Sequence, residues 1–195
     1  MFRNIAEKIY GYLSKKKLLN QNDREVYIYA LEIIVLNLGL LITLFIISAF
    51  MKQLLFFVCY ICFFVPLRIF SGGYHAKRSE VCFIMSVGIY VLALLILKNN
   101  VYLYENTVLL CIASLFLLII YIFSPVENEN HPLADDQRKR NKIIVRVMVL
   151  LDFTLLIIFC FNQSTLASYE VVFVLLNGVL FLIGKVEPLF LTKNK

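Results

Sequence analysis

The chain has 195 residues, 61% hydrophobic and 16% charged, with a mean hydropathy of +0.83 and a formal net charge of +6. A soluble domain of this size would not carry several separate apolar runs of about 16–20 residues, so the composition predicts a polytopic membrane protein without room for a separate soluble domain. The odd number of cysteines, most of them inside apolar runs, argues against a disulfide framework, and no basic patch interleaved with aromatics points to nucleic acid.

Residues 1–24 are polar and charged, without the apolar core of a cleavable signal peptide. Phe2, Ile5, Ile9, Tyr12 and Leu13 recur at helical spacing ahead of Lys15, Lys16 and Lys17. That pattern predicts an amphipathic helix lying on an anionic membrane surface, the alternative being a frayed polar tail. Asp23 is placed to cap the helix that leads into a first span, about 31–51. A second, short run at about 53–67 ends at Pro66. Cys59-x-x-Cys62 lies in this run with no further ligands near it in sequence, and reads as apolar filler rather than a metal or redox pair. Further spans are expected at about 80–97, 107–123, 143–161 and 171–186. The fold class is therefore all-α: six transmembrane helices and an N-terminal interfacial helix in one membrane domain, 1–195.

Basic residues in the successive connections number 6, 1, 3, 1, 4, 0 and 3. Their alternation predicts both termini, and the loop between spans two and three, on the cytoplasmic side. Asp152 and Asn177 fall near the middles of spans five and six. A polar group at that depth is either functional or an interhelical tie. Equal depths on antiparallel neighbours predict that the two side chains meet.

The loop between spans two and three carries the chemistry. It reads Arg68-Ile-Phe-Ser-Gly72-Gly73-Tyr-His75-Ala-Lys-Arg-Ser79-Glu-Val-Cys82. A thiol and an imidazole are the minimal pair for nucleophilic attack on a carbonyl. Seven residues on one helix span ~10 Å, too far for a hydrogen bond, so a working pair requires His75 outside the helix of Cys82. Ser79-Glu80 predicts that this helix starts at Ser79, with Cys82 in its first turn at the positive end of the helix dipole. Gly72-Gly73 permits a tight turn before His75 and frees N–H groups that could face an oxyanion. Glu32, near the inner end of span one, could orient His75. The plainer reading makes Cys82 a small core residue and His75 a solvated one.

Arg68, Gly72-Gly73, His75 and Cys82 between the second and third of six spans, together with Ser124-Pro125-Val-Glu-Asn, Pro132 and a basic cluster after span four, resemble the accessory gene regulator B (AgrB) family along the whole chain. The resemblance implies a cell-membrane cysteine endopeptidase of Gram-positive quorum sensing. Such an enzyme removes the C-terminal tail of an AgrD-type propeptide through an acyl-enzyme thioester and promotes thiolactone or lactone closure. Cys82 would then be the nucleophile and His75 the general base, with Arg68, Gly72, Gly73, Ser79 and Glu32 as possible support. No cofactor or metal is implied, and a homodimer is. A peptide exporter or permease subunit without covalent chemistry is the competing class. It would place function at Asp152 and Asn177, near the bilayer midplane.

Overall fold

The computed structural model describes residues 2–15, 23–73, 79–99, 102–126 and 135–192. The helices are α1 (Phe2–Lys15), α2 (Arg24–Phe50), α3 (Leu54–Cys59), α4 (Val65–Ser71), α5 (Ser79–Asn99), α6 (Thr107–Phe123), α7 (Asp135–Phe161) and α8 (Thr165–Thr192). A π-helical turn, Tyr60–Phe64, joins α3 to α4. Among the described residues five helical stretches are long and apolar enough to cross a membrane, and α6 is a shorter apolar helix. The protein is an all-α polytopic membrane protein. Its chain divides into two compact units, Met1–Gln53 with Ala76–Val91 and Leu54–His75 with Leu92–Lys195, so that α5 contributes to both.

In the first unit α1 packs on α2 through Phe2, Ala6 and Tyr10. Ala6 and Tyr10 close a small cluster with Ile28. The stripe expected from sequence is thus divided: Phe2 is buried in the protein, while Ile5 and Tyr12 stay exposed, as suits a face presented to lipid. Arg3 pairs with Glu25 at 2.9 Å and with Glu7 at 3.5 Å, and the Arg24 guanidinium lies over the Tyr10 ring. These ion pairs are exposed and add little stability. Asp23 does precede the first helical residue, but its side chain makes no capping bond. Farther along α2, buried Ser48 hydrogen-bonds the buried Tyr90 hydroxyl of α5.

In the second unit, Leu67, Ala113, Leu117, Ile120, Val145, Val149, Val174 and Phe181 form the core, drawn from α4, α6, α7 and α8. Asn106 caps α6, its Oδ1 accepting from the Val108 and Leu109 amides at 3.0 and 3.3 Å. The second span does not stop at Pro66. It runs on to Ser71, because the wider π turn just ahead of the proline accommodates a residue that has no N–H and clashes with the preceding turn. Phe56, Tyr60 and Phe64 all pack against the Phe173 ring of α8, with centroids 5.0, 5.9 and 6.3 Å away.

The expected pairing of Asp152 with Asn177 is not what forms. The Asn177 amide donates from Nδ2 to the Phe64 carbonyl at 3.3 Å, tying α8 to the π turn. Asp152, also buried, has as its electrostatic neighbour Glu170 of α8. Equal depth is necessary for contact but not sufficient: the rotation of each helix about its axis decides which partner is met.

Candidate functional site

The glycine turn is built by the end of α4. Gly72 and Gly73 have φ of +75° and +118°, regions that residues with a Cβ rarely enter. Gly72 forms an isolated parallel bridge with Val126, whose amide donates to the Ser71 carbonyl at 2.9 Å. A Cβ on Gly72 would run into the Val126 carbonyl. One on Gly73 would overlap the Arg68 guanidinium and press on the Leu180 carbonyl and the Phe181 Cα at 3.0 and 3.2 Å. Arg68 donates from Nη1 to the Gly72 carbonyl at 2.8 Å, one helical turn onward. The glycine motif and the Ser124-Pro125-Val126 segment, which carried the resemblance separately, are therefore one structural feature. Two cations gather on the α6 side of it, with Lys185 over the Phe123 ring at 3.1 Å and Arg146 over the Tyr121 ring at 5.2 Å.

Residues 74–78 lie outside the described residues, so the position of His75 and its distance to Cys82 are not assigned. Beyond them, in the other unit, α5 begins at Ser79 and Cys82 lies in its first turn, half-buried and not in a disulfide. The Ser79 hydroxyl donates to Glu32 Oε1 at 2.9 Å. Three residues separate Ser79 from Cys82, so both lie on neighbouring faces of one turn, and the Glu32 carboxylate reaches that turn from α2. Phe83, next to Cys82, packs on the ring of Phe2 at 5.5 Å, and both rings lie beside Gly39 of α2. The start of the amphipathic helix is thereby fixed beside the residue that follows the thiol.

A profile of the family described as accessory gene regulator B matches residues 6–183. The chain belongs to the AgrB family. Among its relatives, an AgrB-like protein of Listeria welshimeri is 27% identical over 175 residues, covering 87% of this chain and 80% of the relative. An AgrB-like protein of Clostridium acetobutylicum is 30% identical over 130 residues, 65% of this chain and 61% of its own. The accessory gene regulator protein B of Staphylococcus aureus (strain bovine RF122) is 27% identical over 150 residues, 77% of this chain and 79% of its own. No solved structure matches.

For an AgrB-family protein the described residues offer two kinds of polar feature. One is the half-buried set of Ser79, Glu32 and Cys82. The other is fully buried and was missed in sequence: Glu170 lies one turn inside α8. Sequence placed the start of the last span at 171 and so left Glu170 in a loop. The Ser164-Thr165 pair offered a better starting signal, since the Ser164 hydroxyl accepts from the Leu166 amide at 3.3 Å. Among the described residues no group of three His, Cys, Asp or Glu side chains is arranged to hold a metal ion.

Proposed function

We propose that this AgrB-family membrane protein is a cysteine endopeptidase that trims and cyclises a small AgrD-type quorum-sensing propeptide. The observation that carries the reading is the half-buried Cys82 thiol in the first turn of α5, one turn from the Ser79–Glu32 hydrogen bond. His75 takes the proton from Cys82 Sγ, and the thiolate attacks the carbonyl carbon of the residue before the propeptide's tail. The tetrahedral intermediate collapses, the tail leaves as an amine carrying the proton returned by His75, and a thioester to Cys82 remains. A thiol or hydroxyl of the propeptide then attacks the thioester, closes the ring and releases Cys82. The thioester retains the acyl group's reactivity, and exclusion of water by membrane and bound peptide favours ring closure over hydrolysis. Glu32 acts through Ser79 as a positioning residue for the turn that bears the nucleophile. The rigid glycine turn aims the chain into the loop holding His75. In this reading the protein works as a homodimer in the cell membrane with both termini cytoplasmic, and lipid contacts the Ile5–Tyr12 face of α1.

The test is co-expression with the propeptide and mass spectrometry of the intact protein. Wild type should yield trimmed propeptide and a thioester adduct on Cys82, while Cys82→Ala should lose both at equal membrane abundance. Processing that persists in Cys82→Ala would exclude the mechanism.

A further inference from the structure

The core of the second unit holds polar atoms that thiol chemistry at Cys82 does not use. Glu170 is 1% exposed, and among the described residues neither of its carboxyl oxygens has a hydrogen-bond partner. Asn177, also 1% exposed, lies two turns farther along the same face of α8, about 10 Å away along the axis. Its Nδ2 is engaged by Phe64, while its Oδ1 has no partner. Asp152 approaches from α7, 6% exposed. The helical register brings Asp152 and Glu170, not Asn177, together. Val149 of α7 and Val174 of α8 share the core cluster, and the chain reverses direction between these helices within a short turn. One turn from Val149 toward that reversal is Asp152, and one turn from Val174 toward it is Glu170.

Among the described residues the surroundings supply no counter-charge. Asp152 is the charged group acting on Glu170 from α7, and the Cys59 thiol faces it from α3, with Tyr169 of α8 beside that thiol. Among the described residues Glu170 enters no ion pair. Two carboxylates close together in a medium of low dielectric cannot both stay ionised and bare. An orphan acceptor inside a membrane bundle calls for a donor or a cation, and an ionisable pair at such depth is the usual mark of an ion pathway.

We propose that Glu170 and Asp152 form a site for a small monovalent cation, a proton or Na+, inside the helices of the second unit. A proton on one carboxyl converts an acceptor into a donor for the other and leaves the pair with a single charge. Sodium would instead be ligated by oxygen alone, the donor type that this hard cation takes. Either way the site gives the protein an ion-binding element separate from Cys82, of the kind that couples an ion gradient to helix movement. It does not depend on the peptidase reading.

The experiment uses the full chain in lipid nanodiscs, with infrared spectroscopy of the protonated-carboxyl stretch near neutral pH and thermal unfolding in NaCl against choline chloride at equal ionic strength. A proton site shows a protonated-carboxyl band that Glu170→Gln or Asp152→Asn removes, and no preference for Na+. A sodium site shows a higher unfolding midpoint in NaCl, lost in either variant, with the band shrinking as Na+ is added. The proposal is overturned if wild type shows neither the band nor a Na+-specific shift, or if both survive unchanged in the two variants. Should Glu170→Gln fail to fold, Asp152→Asn supplies the same readouts, and the wild-type measurement alone decides the first overturning case.

Discussion

The two units of the chain are held by different physics. In the first, α2 is 27 residues long but buries only Ile28, Leu44 and Ser48, and α5 is tied to it at points by polar side chains, Ser48 to Tyr90 and Glu32 to Ser79. In the second, α8 buries a long apolar face from Ala167 to Phe181, aromatic rings interlock around Phe173, and a glycine turn fits where no side chain would. Point attachment tolerates changes of shape but not of hydrogen bonding. Close packing has the opposite sensitivity. It is notable that Cys82 belongs to the pointwise-held unit, where polar ties set side-chain positions, and the glycine turn to the packed one.

Replacing Gly73 by Ala should have the largest effect on stability. The positive φ and the overlap with Arg68, Leu180 and Phe181 together should cost about 3 kcal/mol, read as a lowered unfolding midpoint in detergent. A Gly73→Ala protein as stable as wild type would remove the packing argument for the second unit. In the first unit, a double-mutant cycle of Ser48→Ala and Tyr90→Phe should return a coupling of about 1 kcal/mol, within the range for hydrogen bonds between membrane helices. Additive single effects would break the contrast from the other side. Glu32→Gln retains an acceptor for the Ser79 hydroxyl, so propeptide cleavage should be nearly preserved, whereas Glu32→Leu should slow it while shifting the unfolding midpoint little. Equal cleavage by the two variants would mean that the Ser79 tie does not position Cys82. Asn177→Leu should lower stability by only about 0.6 kcal/mol, since one hydrogen bond to Phe64 is lost and an orphan carbonyl is removed with it. An effect of similar size has the opposite sign. A Cβ at Gly11 of α1 meets nothing, so Gly11→Ala should stabilise that helix by about 0.5–1 kcal/mol.

The sequence was most informative where a single physical pattern dominated. Apolar runs marked out the five long helical stretches and the shorter α6, since hydrophobicity over span length is a strong signal. The expected start of α5 at Ser79-Glu80 borders residues 74–78, which lie outside the described residues. What could not be read depended on rotation about helix axes and on long-range fit. Asn177 found Phe64 instead of Asp152 for that reason. Glu170 was hidden because a lone carboxylate at the edge of an apolar run looks like loop. Nothing in either segment alone announced that Gly72 would bridge to Val126, more than fifty residues later. Pro66 misled because its rule holds for a regular helix, and the preceding turn is not regular. The Phe2, Ala6, Tyr10 stripe was obscured by the longer aliphatic residues at Ile5 and Ile9, which draw the eye to the lipid-facing side.

That irregular turn also sets an angle. Phe56, Tyr60 and Phe64 recur every four residues, and on an ideal α-helix a strict four-residue repeat drifts by about 40° at each step. Five π-helical residues, Tyr60–Phe64, unwind the helix enough to cancel that drift, so one straight aromatic rail faces Phe173 before Leu67 enters the core. The turn works as a phase adjuster for a rotary part. Closing it to ordinary helix without removing a residue would swing everything downstream by one residue's rotation, roughly 100°. The Arg68 fork and the glycines would then point away from Val126, although no residue of that motif had been changed.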